Sequence, residues 1–256
     1  MRIQIHTFQV LPSTNDYLRE RAREGAPEGT VIIAREQTSG KGRWGRHWDS
    51  PRGGAWFSLL LRPPIPLEQA GCIAILIAVS LARALREGWG VPVGVKWPND
   101  LYVRGKKLGG VLIELGSSQG KIDWLVAGIG INVNNELPAE ARVPATSLAC
   151  ELGRPVPLEE FFEGALAAIA QDYERFLCEG FEFIRQRWQE LSVLPPRIIF
   201  RTNVGEIAAE VLGLAPSGRL IVRTDEGLRE LGSEEVTLCP LVLSLEPSGA
   251  TKAKGR

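Results

Sequence analysis

Residues 93–115 read VGVKWPNDLYVRGKKLGGVLIEL, and the rest of the chain is read outward from this stretch. Val93-Gly94-Val95-Lys96-Trp97 has the composition of a short strand, and Pro98, with no N–H to donate, can end it. Leu101-Tyr102-Val103 reads as the next strand, and Arg104-Gly105-Lys106 as a turn into a third over Lys107–Leu115. Leu108, Val111, Leu112 and Ile113 make the third strand largely buried. Lys107 stands at its entrance, and the pair Gly109-Gly110 opens its backbone to a close neighbour. A lone lysine beside a turn is by default a solvated one.

Upstream, alternation over Arg2–Val10, with Ile3 and Ile5 on one side, predicts an opening strand. Ser13-Thr14-Asn15-Asp16 carries a helix-start signature, and the helix should run over Thr14–Glu24 and stop near Gly25 and Pro27. Strands follow at Thr30–Arg35 and Ala55–Arg62, then a long, mostly apolar helix near Leu67–Glu87 that should pack against a sheet. Downstream come a strand over Ile122–Asn134 and helices near Leu158–Cys178 and Phe181–Leu191. Pro195-Pro196 marks a boundary. Beyond it, Arg197–Arg201, Gly205–Leu214, Gly218–Thr224, Gly227–Leu231 and Glu235–Leu238 are short β-rich segments separated by turn residues, the pattern of a small antiparallel barrel. The expected class is α+β: a mixed sheet packed with helices over residues 1–194, a β module over 195–245, and a small, polar, disordered tail over 246–256.

A second segment bears chemistry. Thr38-Ser39-Gly40-Lys41-Gly42-Arg43-Trp44-Gly45-Arg46-His47-Trp48 interleaves glycines with cations and closes on an indole. Glycine lets backbone approach a ligand closely, while Lys and Arg make charge-assisted hydrogen bonds to phosphate or carboxylate. The segment reads either as a loop that folds over an anionic ligand or as a solvated basic loop.

Thirty basic and thirty acidic residues leave no net charge, which disfavours a globally electropositive nucleic-acid binder. Cys72, Cys150, Cys178 and Cys239 lie far apart with no CxxC spacing, and read as small buried hydrophobes of a reducing compartment. His6 and His47 are too few for a histidine metal centre, no metal site is assigned, and His6 in its alternating run reads as structural. The longest apolar run, Cys72–Leu85, contains Ser80 and Arg83 and falls short of the roughly 20 residues that cross a bilayer. A cytoplasmic protein with no membrane partner is the resulting expectation.

Taken in order, Ser13-Thr14-Asn15, Gln37, Gly40–Arg46, Lys96–Asp100, Lys107–Glu114 and Gly128-Ile129-Gly130-Ile131-Asn132-Val133 closely resemble the biotin–protein ligases. Any one fragment is weak; the ordered set is specific. One departure stands out: the family's glycine-rich loop usually begins Gly-Arg-Gly-Arg, and Lys41 occupies the first Arg position, keeping the charge but losing the planar fork. The resemblance implies activation of biotin by ATP as biotinyl-5′-AMP, then transfer to a lysine of a carboxylase's biotin carboxyl carrier domain, with Mg²⁺ on the phosphates. It also implies an SH3-like barrel for the C-terminal module. Lys107 becomes the central catalytic residue, with Arg43 reaching the phosphoryl group and the biotin carboxylate and Arg46 nearer the pyrophosphate.

For biotin itself the resemblance implies contacts from Ser13, Thr14, Asn15 and Gln37, together with Lys41, Gly42, Arg43, Lys107 and Gly110. Helix capping is the competing role for Ser13 and Thr14. For the nucleotide it implies Arg43, Arg46, Asn99, Asp100, Lys107 and Asn132. Turn capping competes for Asn99 and Asp100, and a β-bulge for the glycines at 128 and 130. Trp97 reads as a core indole. The nearest alternative is a lipoate- or octanoyl-transferring relative of the same fold. A different class is a DNA-binding repressor, but too little chain precedes Ser13 for a helix-turn-helix module, so no specific DNA is expected. A non-catalytic biotin-binding module would not require the phosphate-directed cations, and a homodimer is an assembly the resemblance allows.

Overall fold

Thr30–Ala34 and Ala55–Leu61 are buried at every position, which places them mid-sheet between two covering layers. The computed structural model describes residues 1–137, 143–202, 205–233 and the backbone of 237–238. Its main sheet comprises β1 (Gln4–Phe8), β2 (Thr30–Ala34), β3 (Ala55–Leu61), β4 (Gly94–Lys96), β5 (Asp100–Val103), β6 (Lys106–Ser118) and β7 (Lys121–Ile131). The spatial order is β1-β2-β3-β7-β6-β5-β4. Only β1 and β2 pair in parallel, and helix α1 (Thr14–Arg23) supplies the crossover that a parallel pair requires.

Strand alternation sends residues to two different layers. Phe57, Leu59, Leu61, Leu125, Ala127 and Ile129 join the large core under α2 (Ala70–Trp89), α4 (Leu158–Glu179) and α5 (Glu182–Leu191). Ile32, Leu60, Val126 and Trp124 pack instead with Leu18 and Ala22 of α1. Helix α2 follows a single 3-10 turn at Leu67–Gln69 and ends on Gly90, whose φ of 68° suits a residue without Cβ. Together with that turn it is long and apolar enough to span a bilayer, contrary to the length expected from Cys72–Leu85, but Cys72 to Ala82 are buried without a break, the buried helix that was expected. Asp172 on α4 lies buried between this helix and α5, accepting from Ser80 Oγ at 2.7 Å with Arg83 at 3.4 Å and Arg187 at 3.6 Å.

The C-terminal module is a second, antiparallel sheet in the order β11-β10-β9-β8-β12, made of β8 (Arg197–Thr202), β9 (Gly205–Leu214), β10 (Leu220–Thr224), β11 (Gly227–Leu231) and β12 (Thr237–Leu238). It docks on the larger part through named bonds. Trp97 Nε1 donates to the Gly218 carbonyl at 3.0 Å, Arg185 Nε to the Leu214 carbonyl at 2.7 Å, and the Cys72 thiol to the Pro216 carbonyl at 3.5 Å. Trp97 is thus the core indole expected, next to a cis bond to Pro98. The tail expected at 246–256 lies outside the described residues.

Strand β1 forms as expected and is an exposed edge, with Ile5 51% exposed and His6 at the surface. Two points differ from the sequence reading. Cys150 and Cys178 are exposed, because they fall on outward faces of short helix α3 (Leu148–Leu152) and of α4; Cys72 alone is buried as expected, and Cys239 lies outside the described residues. Helix α3 itself was not anticipated; Ser147 caps it by accepting from Cys150 N at 3.2 Å and Gly153 closes it with φ 67°.

Candidate active site

Ser13 adopts extended backbone ahead of α1, and its hydroxyl accepts from Asp16 N at 3.3 Å, so it does cap the helix. Thr14 does not cap. Its N–H and its hydroxyl both donate to Gln37 Oε1, at 2.8 and 3.0 Å, and Gln37 Nε2 donates to Ser50 Oγ at 2.9 Å. Asn15 is pinned at both ends: Nδ2 donates to Glu114 Oε2 at 2.8 Å, and Oδ1 accepts from the Ser58 hydroxyl at 2.6 Å. Ser13, Thr14, Asn15 and Ser58 are all buried, so polar groups removed from water are matched to one another beside α1.

Next to them, glycines leave positions of β6 and β7 without side chains. In one rung Trp56 pairs with Gly130, Gly130 with Gly110, Gly110 with Asp100, and Asp100 with Lys96. Two residues along, on the same face, Ser58 pairs with Gly128. A methyl at Gly128 would lie 2.1 Å from Asn15 Oδ1, one at Gly130 2.8 Å from Trp48 Nε1, and one at Gly110 2.8 Å from Asp100 Oδ1. The glycines therefore clear a floor that neighbouring polar groups lean over, and no β-bulge is recorded at 128 or 130. Trp48 Nε1 is buried there with no hydrogen-bond partner among the described residues.

The glycine-rich loop closes on itself through Gly42 N to the Arg46 carbonyl at 2.7 Å, with Trp44 and Gly45 in the left-handed region at φ 61° and 68°. Lys41 Nζ lies 2.7 Å from Asp16. Arg43 stacks over Trp44, approaches Asn99 Oδ1 at 3.5 Å and donates to the Ser233 carbonyl, so it spans from the loop to the C-terminal module. Arg46 is exposed. Asn99 is buried and donates from Nδ2 to the Val111 carbonyl, while Val111 N donates to the Asn99 carbonyl at 3.0 Å.

Lys107 is not the solvated lysine its turn would suggest. Its Nζ lies 2.7 Å from Asp100 Oδ1 and 5.3 Å from the centre of the Trp48 ring. Its backbone is clamped by residues 144–146: Lys107 N donates to the Pro144 carbonyl at 2.7 Å and Thr146 N to the Lys107 carbonyl at 2.9 Å. Asn132 stands behind this clamp, donating Nδ2 to the Thr146 carbonyl at 3.1 Å and accepting from Asn135. Lys96, on the same rung as Asp100, has its pKa lowered by burial; the Asp100 carboxylate pulls it back up and Lys107 pushes it down. Among the described residues no group of three His, Cys, Asp or Glu could cage a metal.

Three contributors carried no role in the sequence reading. Ser58 and Glu114 hold Asn15, and Trp48 covers Lys107. Ser58 had one readable signal, a lone hydroxyl inside the otherwise apolar run AWFSLLL.

A glycine floor, matched buried polar groups and cations on a loop and a strand mouth could accommodate a small polar ligand carrying negative charge. The model of the biotin/lipoate A/B protein ligase family matches residues 7–132. Relatives align along most of the chain, and the chain belongs to this family. The bifunctional ligase/repressor BirA of Bacillus subtilis is 34% identical over 234 residues, covering 90% of this chain and 72% of the relative. The biotin–[acetyl-CoA-carboxylase] ligase of Paracoccus denitrificans is 32% identical over 212 residues, covering 80% and 88%. Among solved structures, the Aquifex aeolicus biotin protein ligase in complex with biotin and ATP superposes with a TM-score of 0.80 at 32% identity, covering 92% of this chain and 98% of that one.

Proposed function

We propose that the chain is an ATP-dependent biotin–protein ligase. A biotin carboxylate oxygen attacks the α-phosphorus of ATP, the bond to the bridging oxygen breaks, and biotinyl-5′-AMP forms as pyrophosphate leaves. The neutral ε-amine of an acceptor lysine on a carboxylase's biotin carrier domain then attacks the acyl carbon. An amide forms, AMP departs, and the amine proton is released.

The observation that carries this reading is Lys107, held by Asp100 beside a floor cleared of side chains. Its ammonium stabilises charge shared between the carboxylate and the transferring phosphoryl oxygens. Arg43 supports the same oxygens, and Arg46 the departing pyrophosphate. The N–H donors and carbonyl acceptor of the ureido ring need polar partners, and the polar cluster of Ser13, Thr14, Asn15 and Gln37 beside the glycine floor supports assigning that role to them. Gly42 and Gly110 give the ligand room, and Lys41 adds charge at the loop. Asn99 and Asp100 take the nucleotide side, where Asn132 acts through the segment that clamps Lys107. Mg²⁺ carried on the triphosphate needs only one or two carboxylates, and Asp100 is the carboxylate available at this rung.

Residues 1–194 are assigned as the catalytic domain and 195–245 as the SH3-like module, with Arg43 to Ser233 as a contact between them. The absorption of α2 into the core supports reading it as a core helix and not a membrane span. The balanced charge favours no operator DNA, and sedimentation reads out the homodimer that the family resemblance allows. Biotin and lipoate offered separately with ATP test the assignment. Biotin-dependent pyrophosphate exchange is expected, and exchange with lipoate alone moves the chain to the lipoate or octanoate branch.

A further inference from the structure

Lys41, Asp16, Arg19 and Glu114 form a line of alternating charge, of which the reaction above uses only Lys41. Lys41 Nζ lies 2.7 Å from Asp16. Arg19 Nη2 lies 2.9 Å from Asp16 Oδ1, and Nη1 lies 2.9 Å from Glu114 Oε1. The other oxygen of Glu114 accepts from Asn15 Nδ2 at 2.8 Å. One end of the line is the glycine-rich loop and the other is the buried amide beside the cleared floor. Arg19 is the link between them.

An exposed ion pair three residues apart on a helix contributes a few tenths of a kcal/mol at most and is the bland account of Asp16 and Arg19. Two observations go beyond it. Glu114 comes from β6, 95 positions away, and it sets a buried amide rather than ending in solvent. The three side chains Arg19, Asp16 and Glu114 are only 29%, 29% and 25% exposed, and Arg19 Nε is buried with no hydrogen-bond partner among the described residues, so the guanidinium is aimed at the two carboxylates and not at water.

We infer that Arg19 is a positioning residue for the ligand pocket, fixing the Asn15 amide through Glu114 and drawing Lys41 onto α1 through Asp16. The amide has one usable direction while Glu114 is ionised: Nδ2 toward the carboxylate and Oδ1 toward the Ser58 hydroxyl. Reversing it would set two oxygens against each other. Charge balance acts in the same sense. Two carboxylates meet two cations along the line, so removing Arg19 leaves one uncompensated negative charge beside a pocket for anions. The guanidinium fork reaches both carboxylates at once, which a single ammonium cannot do as well.

Resting on the biotin reading above, the test is biotin-dependent ATP–pyrophosphate exchange by wild type, Arg19→Ala, Arg19→Lys and Arg21→Ala, with thermal unfolding of each. Arg21 pairs with Glu24 on the same helix and serves as the control. Arg19→Ala should raise the KM for biotin about tenfold, the scale of one charge-assisted hydrogen bond, with kcat within about twofold of wild type. Arg19→Lys should fall between, Arg21→Ala should match wild type, and added salt should narrow the gap between wild type and Arg19→Ala. A folded Arg19→Ala with an unchanged KM for biotin overturns the inference, as does a loss shared equally by kcat and melting temperature. If that variant does not fold, Arg19→Gln, which keeps a donor and a good helix former, decides by the same criteria. Exchange by wild type that ignores biotin overturns the parent reading and this inference with it; active wild type with an indifferent Arg19 overturns the inference alone.

Discussion

Lys107 Nζ sits 2.7 Å from Asp100 Oδ1, and Asp100 in turn pairs in register with Lys96 on its other side. The carboxylate therefore directs Lys107 at the mouth of the glycine floor and opposes the burial that lowers the Lys96 pKa. Asp100→Asn removes that restraint while preserving size. The expected result is a loss of about 100-fold in kcat/KM for ATP, roughly 3 kcal/mol of transition-state stabilisation, in a protein that still folds. Steady-state exchange kinetics check it.

Gly128→Ala probes the other end of the floor. Its methyl would lie 2.1 Å from Asn15 Oδ1, so Asn15 must give up its bond from Ser58 or to Glu114. The KM for biotin should rise at least about tenfold while the KM for ATP stays within about twofold, because one disrupted buried hydrogen bond acts locally. Isothermal titration with biotin gives the same answer without chemistry.

Tyr102 gives an alkaline signature. Burial first, and then the Asp100 carboxylate, push its phenol from 10.0 up to about 12. The unfolded chain therefore releases this proton before the folded one does. Stability from Tyr102 is fully present below pH 10 and is lost as pH rises toward 12. Urea denaturation at stepped pH should show Tyr102→Phe losing less stability than wild type over that interval.

Asp172 holds two arginines, Arg83 and Arg187, between α2, α4 and α5. Asp172→Ala leaves both without their shared buried counter-ion and removes the acceptor of the Ser80 hydroxyl. A loss of about 3 kcal/mol in unfolding free energy is expected, with exchange activity per folded molecule unchanged. Urea denaturation measures it.

The strands and long helices were legible because burial imposes period on sequence: Ala55–Leu61 is apolar throughout, and α2 is apolar nearly all round. Helix α3 was not, because its five residues are set by a cap at each end and carry no period. Cys150 and Cys178 were misplaced because small apolar residues sit on either side of a helix with little penalty. In the candidate site, motif order pointed to Lys107 and the loop, yet the partners that fix them are distant in sequence. Glu114 reaches Asn15 across 99 positions, and Asp100 meets Lys107 through a strand pairing. Local pattern cannot show which carboxylate will face which cation once the sheet forms. The helix-start reading of Asp16 was correct for its backbone N–H, but its side chain serves Lys41 and Arg19 instead.

The most direct measurement is biotin transfer to a purified carrier domain with and without ATP, by wild type and by Lys107→Ala, read by avidin blot. ATP-dependent labelling by wild type is expected, with a fall of at least about 1,000-fold in a Lys107→Ala protein of unchanged melting temperature, since charge-stabilising groups contribute on this scale. Labelling by folded Lys107→Ala near the wild-type rate would contradict the central role of this lysine. No labelling by wild type with a competent carrier would contradict the assignment itself.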